Sequence, residues 1–86
     1  PINNENRPNI YRELGRAYRF MGKYQQATEY FRAAQLLQRR NLPQSKFEYG
    51  STLSGLAVVY SEIGDLKRAI HLNKCALDIY HTIFPD

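Results

Sequence analysis

The stretch YRELGRAYRFMGKYQQATEYF, residues 11–31, decides the fold of this chain. Its apolar residues recur three, four and seven positions apart, as at Tyr11, Leu14 and Tyr18, which is the spacing of one face of an α-helix. Gly22 then interrupts the pattern, and a glycine just past a helix end favours the left-handed backbone that closes a helix. A second periodic run follows the glycine. The stretch therefore predicts two helices joined by a tight turn.

The same pattern returns 42 residues later, in LSGLAVVYSEIGDLKRAIHLN at residues 53–73. When the two copies are aligned in this register, small residues pair with small residues and large residues with large ones. The paired positions include Leu14 and Leu56, Gly15 and Ala57, Tyr18 and Tyr60, Gly22 and Gly64, Ala27 and Ala69, Ala34 and Ala76, and Pro43 and Pro85. An internal repeat of this length is typical of stacked helical units. The sequence thus predicts an all-α fold of four helices in two hairpins.

Local signals predict where these helices begin and end. The second helix should stop near Asn41, because the residue before Pro43 is pushed away from helical geometry. Ser45 and Glu48 match a capping box, which predicts the start of the third helix at Ser45. Asp65 is placed to cap the fourth helix through its side-chain oxygen.

Small residues predict how each hairpin packs. Gly15 opposite Ala27, and Ala57 opposite Ala69, would let the paired helices approach closely, whereas large side chains would hold them apart. Tyrosines at this helical spacing are expected in the core. Asn73 stands where the first repeat has Phe31, so we expect looser packing in the second repeat.

Composition narrows the class of protein. Eighty-six residues with 43% hydrophobic side chains fit one small domain. The longest apolar run, residues 56–60, is far shorter than the roughly 20 residues that cross a membrane. Cys75 is the single cysteine and cannot form an internal disulfide, which favours a reducing, cytoplasmic location. Residues 1–43 hold eight Lys or Arg against three Asp or Glu, and such asymmetry can steer an acidic partner.

The sequence offers little to support catalysis or cofactor binding. His71, Cys75 and Asp78 can share one helix face, but a structural zinc ion normally takes four ligands. A catalytic thiol also needs a pocket and an oriented base, which one helix face does not supply. We therefore expect a chain that is not an enzyme and that binds neither a cofactor nor a metal.

The two copies resemble the tetratricopeptide repeat, whose pattern spans a large residue, Leu-Gly, Tyr, then Ala, Phe and Pro at fixed spacings. In this chain the matching residues are Tyr11, Leu14, Gly15, Tyr18, Ala27, Phe31 and Pro43, and in the second copy Leu53, Leu56, Ala57, Tyr60, Ala69, Asn73 and Pro85. The period of 42 residues exceeds the usual length of about 34 and is similar to the long repeats of kinesin light chain.

The resemblance implies one domain over residues 1–86, with repeats at about 8–43 and 45–85, stacked as a short right-handed solenoid. We expect this domain to be a fragment of a longer array. The resemblance also implies a non-enzymatic scaffold that binds a protein or peptide partner. A structural segment without a ligand of its own is one alternative. Nucleic-acid binding is a weaker one, since Arg39 and Arg40 already complement a helix dipole.

In this family the first helix of each repeat lines a concave groove, and the resemblance places ten residues there. They are Asn9, Arg12, Arg16, Arg19, Phe20, Ser51, Ser54, Val58, Ser61 and Glu62. Guanidinium groups hold carboxylates through paired hydrogen bonds, so an acidic partner is expected, with Arg16 in the middle of the row contributing most. A solvated basic face is the alternative. The asparagines with which some members hold a C-terminal carboxylate are missing.

The far end of the second repeat forms a second predicted surface. Leu77, Tyr80 and Phe84 should be exposed there, because no later residue of the chain is expected to cover them. Repeats bury their apolar faces on their neighbours. We therefore expect this end to meet another repeat or to self-associate.

Overall fold

The computed structural model describes residues 7–85, and these residues form four helices and no strand. The helices are α1 (Arg7–Phe20), α2 (Tyr24–Arg39), α3 (Leu42–Ile63) and α4 (Leu66–Ile83). Consecutive helices pack on one another, and α1 also contacts α3. The prediction of an all-α fold built from two helical hairpins is confirmed.

Both hairpins turn at the predicted glycines. Gly22 and Gly64 have φ angles of 75° and 100°, a region that side chains with a Cβ rarely adopt. Asp65 caps α4 as predicted, since its carboxylate accepts a hydrogen bond of 3.2 Å from the backbone N–H of Arg68. The sequence signals for these turns are therefore confirmed.

The junction between the repeats agrees with the prediction in position and differs in its hydrogen bonds. α2 ends at Arg39, close to the predicted end near Asn41, and Pro43 lies in a short first turn of α3, where its missing N–H is not needed. The backbone at Ser45 is not helical, with φ and ψ of −118° and 22°, so the long regular part of α3 starts there as predicted. The Ser45 side chain does not form the predicted capping box with Glu48. Its single hydroxyl proton is shared between the backbone carbonyls of Gln38 and Asn41, each 2.8 Å away, which ties α3 to the end of α2.

Phe31 is the centre of the core. It is fully buried, and its ring lies between glycines of two different helices. A Cβ placed on Gly15 of α1 would come within 2.9 Å of the ring, and one on Gly55 of α3 within 2.6 Å. We call Phe31, Gly15 and Gly55 the glycine clamp. The Phe31 ring therefore contacts both glycines and holds α1, α2 and α3 together.

Tyrosines pack along the α1–α2 contact beside the glycine clamp. The rings of Tyr18 and Tyr30 stack with centroids 5.4 Å apart, and Tyr11 meets Tyr30 at 6.0 Å. Such pairs stabilise by roughly 0.5–1.5 kcal/mol beyond the area they bury. Tyr30 was not singled out by the sequence analysis, although it supplies the shared partner of both predicted core tyrosines.

One buried polar group offers a test of the core. Thr52 is fully buried, and its hydroxyl has no hydrogen-bond partner among the described residues. Valine has nearly the same shape without the hydroxyl, so we expect Thr52→Val to stabilise the fold by about 1 kcal/mol. Thermal unfolding should then show a melting temperature about 4–8 °C higher. An unchanged or lower melting temperature would mean that the hydroxyl is satisfied.

Candidate peptide-binding groove

A cavity opens between α1 and α3, directly above the ring of Phe31. Its α1 wall carries the charged side chains, its α3 wall carries small residues and one valine, and Phe31 of α2 lies beneath. The lining residues are Arg12, Glu13, Arg16, Arg19, Phe31, Ser51, Ser54, Gly55 and Val58. We call this cavity the groove. Phe31 and Gly55 of the glycine clamp form its floor, because Gly55 lets the helix backbone lie directly on the aromatic ring.

Acidic residues already contact the three arginines of the groove. The Arg16 guanidinium lies 3.1 Å from the Glu13 carboxylate, whereas the Nε atom of Arg12 lies 3.7 Å from the same group. Arg19 bridges to Glu62 of α3 at 3.4 Å. Three cations thus face two anions, which leaves one net positive charge. In each pair the carboxylate remains open to solvent, and such pairs contribute only about 1 kcal/mol each, so a ligand carboxylate can displace them.

The two pairs differ in what they connect. Glu13 and Arg16 lie on one helix, three residues apart, where such pairs are common. Arg19 and Glu62 belong to different repeats, so their bridge joins α1 to α3 at one end of the groove. The Arg19 guanidinium also lies 4.4 Å from the centre of the Phe20 ring, within the range of a cation–π contact. Arg19 is therefore held in place by two neighbours.

The structure brings six of the ten predicted groove residues together. Arg12, Arg16, Arg19, Ser51, Ser54 and Val58 line the cavity. Glu62 and Phe20 do not line the cavity, but both contact Arg19, which does. Phe20 is 72% exposed. Ser61 is exposed and does not line the cavity. Asn9 lies in a separate cavity, with Gln38 and Ser45, near the ends of α1 and α2.

Three lining residues were not predicted. Glu13 is one, although its spacing of three residues from Arg16 already indicated an ion pair. Gly55 and Phe31 are the other two, and neither was expected in the groove. Their meeting depends on how the repeats stack, so no signal within either helix could have placed them in the groove.

The predicted end face is only partly exposed. Leu77 and Phe84 are 55% and 61% exposed, as expected. Tyr80, however, is half-buried: its ring lies 5.9 Å from that of Phe47, and a Cβ on Gly50 would come within 2.7 Å of it. Tyr80 therefore fastens α4 to α3, and only its edge, with Leu77, lines a cavity with Ser54, Asn73 and Ala76.

The residues considered for chemistry lie apart from the groove. The Cys75 sulfur is 3.7 Å from Nε2 of His71 on the exposed side of α4. Across residues 7–85 we find no group of three His, Cys, Asp or Glu side chains placed to hold a metal ion. Nor does any helix in that range combine the length and apolar character needed to cross a membrane.

The fold and the groove define a class: helical-hairpin repeat proteins with a cavity on the first helices of adjacent repeats. Comparison with known families agrees, because the family model for the tetratricopeptide repeat matches residues 6–81. The chain belongs to the tetratricopeptide-repeat family. It is thus a protein–protein interaction module of a generally non-catalytic kind. Searches of curated proteins and of solved structures found no match. The similarity to kinesin light chain remains a prediction.

Proposed function

We propose that the groove binds an acidic segment of a partner protein that also carries one large apolar side chain. The observation that carries this proposal is the lining itself: three arginines on one wall face a small-residue wall above an aromatic floor. Guanidinium groups favour carboxylates, and pockets with an apolar surface and a few convergent polar groups are typical binding sites.

Arg12 is the arginine best placed to hold the ligand carboxylate. Its side chain is 21% exposed, and its contact with Glu13 is the longest of the three ion pairs in the groove, at 3.7 Å. Arg16 is 52% exposed and shares two closer hydrogen bonds with Glu13, and Arg19 is held by Glu62 and Phe20. A partly buried cation forms stronger hydrogen bonds than an exposed one. We therefore expect Arg12 to contribute more than Arg16, which the sequence alone had favoured.

The apolar side chain of the ligand would lie on Val58. This residue is 41% exposed although it lines the cavity, so a ligand side chain can cover it. Ser54 and Gly55 beside it are small and allow close approach. Two repeats provide a short groove, and ordering of side chains on binding consumes part of the gain, so we expect a dissociation constant on the order of micromolar.

Calorimetric titration with an acidic peptide that carries a central leucine tests this proposal. Arg12→Gln should weaken binding about tenfold, because it removes one charge-assisted hydrogen bond of about 1.5 kcal/mol. Arg39→Gln removes the same charge from the end of α2, outside the groove lining, and should leave the affinity within about twofold. Equal losses in both variants would show that net charge alone attracts the peptide.

A second variant should change the affinity in the opposite direction. Glu13 competes with the ligand for Arg12 and Arg16, so Glu13→Gln should strengthen binding of the acidic peptide about threefold or more. The same peptide with serine in place of leucine should bind more weakly, since it leaves Val58 uncovered. Polyuridylate serves as the nucleic-acid probe. If it binds better than the peptide and weakens steeply with salt, the nucleic-acid alternative replaces the proposal.

A further inference from the structure

The contact between the two repeats provides a template for a third contact. Phe31 of α2 packs on Gly55 of α3, and the Arg32 guanidinium donates a 2.8 Å hydrogen bond to the hydroxyl of Tyr60. The equivalent positions, 42 residues later in the sequence, lie on the outer side of the second repeat. There Asn73 stands in place of Phe31 and Lys74 in place of Arg32.

In the first repeat, α3 covers several side chains of α2. The side chains at the equivalent positions of α4 are exposed. Phe31 is fully buried, whereas Asn73 at the equivalent position is exposed. Gln35 is half-buried, whereas its equivalent, Leu77, is 55% exposed. Ser54, Asn73 and Leu77 line the cavity that this uncovered surface leaves. We call this surface the α4 seat.

Among residues 7–85, no helix covers the outer face of α1 either. Thr52 and Val59 of α3 are fully buried. Their equivalents 42 residues earlier, Ile10 and Ala17, are exposed, Ile10 by 45%. Glu13, which occupies the position of Gly55, has a side chain that is 56% exposed. In the described part of the chain, α1 and α4 therefore each present one half of the contact that is complete between the repeats.

We propose that the chain self-associates head to tail, with α1 of one copy lying on the α4 seat of the next. The arrangement repeats the one by which α3 lies on the first repeat. Glu13 then faces Asn73 and lies near Lys74, so a carboxylate meets an amide and an ammonium group. Lys74 takes the place of Arg32 and reaches the Tyr18 hydroxyl, which stands in the position of Tyr60.

Such a contact uses two different surfaces, so a chain of copies keeps one free surface at each end and grows until the rotation between copies closes a ring. The apolar surface buried at this contact would come from Ile10, Ala17 and Leu77, so its area would be small. Small interfaces of this kind are weak, and we expect association on the order of 100 µM. Two-fold dimers, by contrast, would stop at two copies.

Sedimentation of the 86-residue chain and of two variants tests the proposal. Ala17→Glu blocks the α1 face, and Asn73→Glu blocks the α4 seat, because each puts a carboxylate at the contact and Glu13 repels the second one. Both positions are exposed and lie outside the lining of the groove, so fold and peptide binding should be unchanged. Gln26→Glu adds the same charge at an exposed position of α2 and serves as the control.

The wild type and Gln26→Glu should show a mass that rises steadily above the 10.1 kDa of one chain as concentration rises. Each blocked variant alone should remain monomeric, whereas their equimolar mixture should reach twice that mass and stop, since one intact pair of faces remains. A wild type that stays monomeric at millimolar concentration overturns the proposal and leaves the seat to another protein. A wild-type dimer that the mixture of variants does not restore overturns it in favour of two-fold pairing.

Discussion

Phe31→Ala should produce the largest loss of stability of any single substitution in this chain, about 3–5 kcal/mol. The side chain is fully buried, and its ring is held between Gly15 and Gly55. Removing it leaves a cavity that backbone on both sides cannot fill without moving two helices. The total free energy of unfolding of a small domain is only about 5–15 kcal/mol, so this loss is a large share of it. Thermal unfolding should show a melting temperature lower by at least about 12 °C.

Phe84→Ala is the matched control for this prediction. Phe84 is 61% exposed and follows the end of α4, so its loss should change the melting temperature only slightly. Comparable losses in the two variants would show that Phe31 is not the centre of the core. The contrast separates burial within the glycine clamp from the general effect of losing an aromatic ring.

The second large loss of stability is expected from a substitution at Gly55, the residue of the glycine clamp on α3. Gly55→Leu should destabilise the fold by about 3 kcal/mol, because a Cβ at this position already comes within 2.6 Å of the Phe31 ring. The better helix propensity of leucine, about 1 kcal/mol, offsets only part of this cost. Ser54→Leu, at the neighbouring position and beside open cavities, should cost much less, which chemical denaturation can measure.

A double variant distinguishes overcrowding from other causes. If the introduced leucine side chain and the Phe31 ring compete for one space, Gly55→Leu combined with Phe31→Ala should be more stable than the sum of the two losses predicts. Residues in direct contact show coupling energies of about 0.5–3 kcal/mol. Strict additivity would contradict the clamp and would locate the damage from Gly55→Leu elsewhere in α3.

The clamp also links stability to the groove. Gly55 and Phe31 line the cavity in which we propose that the peptide binds, so the same two residues join the repeats and form the floor of the site. Variants that weaken the clamp should therefore also weaken peptide binding. Arg12→Gln should weaken binding alone, because Arg12 lies on the wall of the cavity and its ion pair with Glu13 is a long contact.

The four helices, their two turns and the register of the repeat could be predicted from sequence, because these features depend on neighbours a few residues apart. Apolar spacing sets the helix faces, and Gly22, Gly64 and Asp65 act on the turns in which they lie. The same local reasoning located the helix break at Ser45 but gave the wrong partner for its side chain. Its hydroxyl bonds to the carbonyl of Gln38 in the preceding helix, a partner that the capping pattern does not contain.

The tertiary structure alone decided which small residues meet which large ones. Gly15 and Gly55 lie 40 positions apart in the chain, and they face the same ring only because α1 and α3 both pack on α2. Stacking likewise selects which arginines line the groove with Val58, and packing within the second hairpin places Tyr80 against Gly50. The chain by itself determined its helices and its repeat, because local periodicity encodes them. The floor of the groove depends on contacts between repeats, which no single helix specifies.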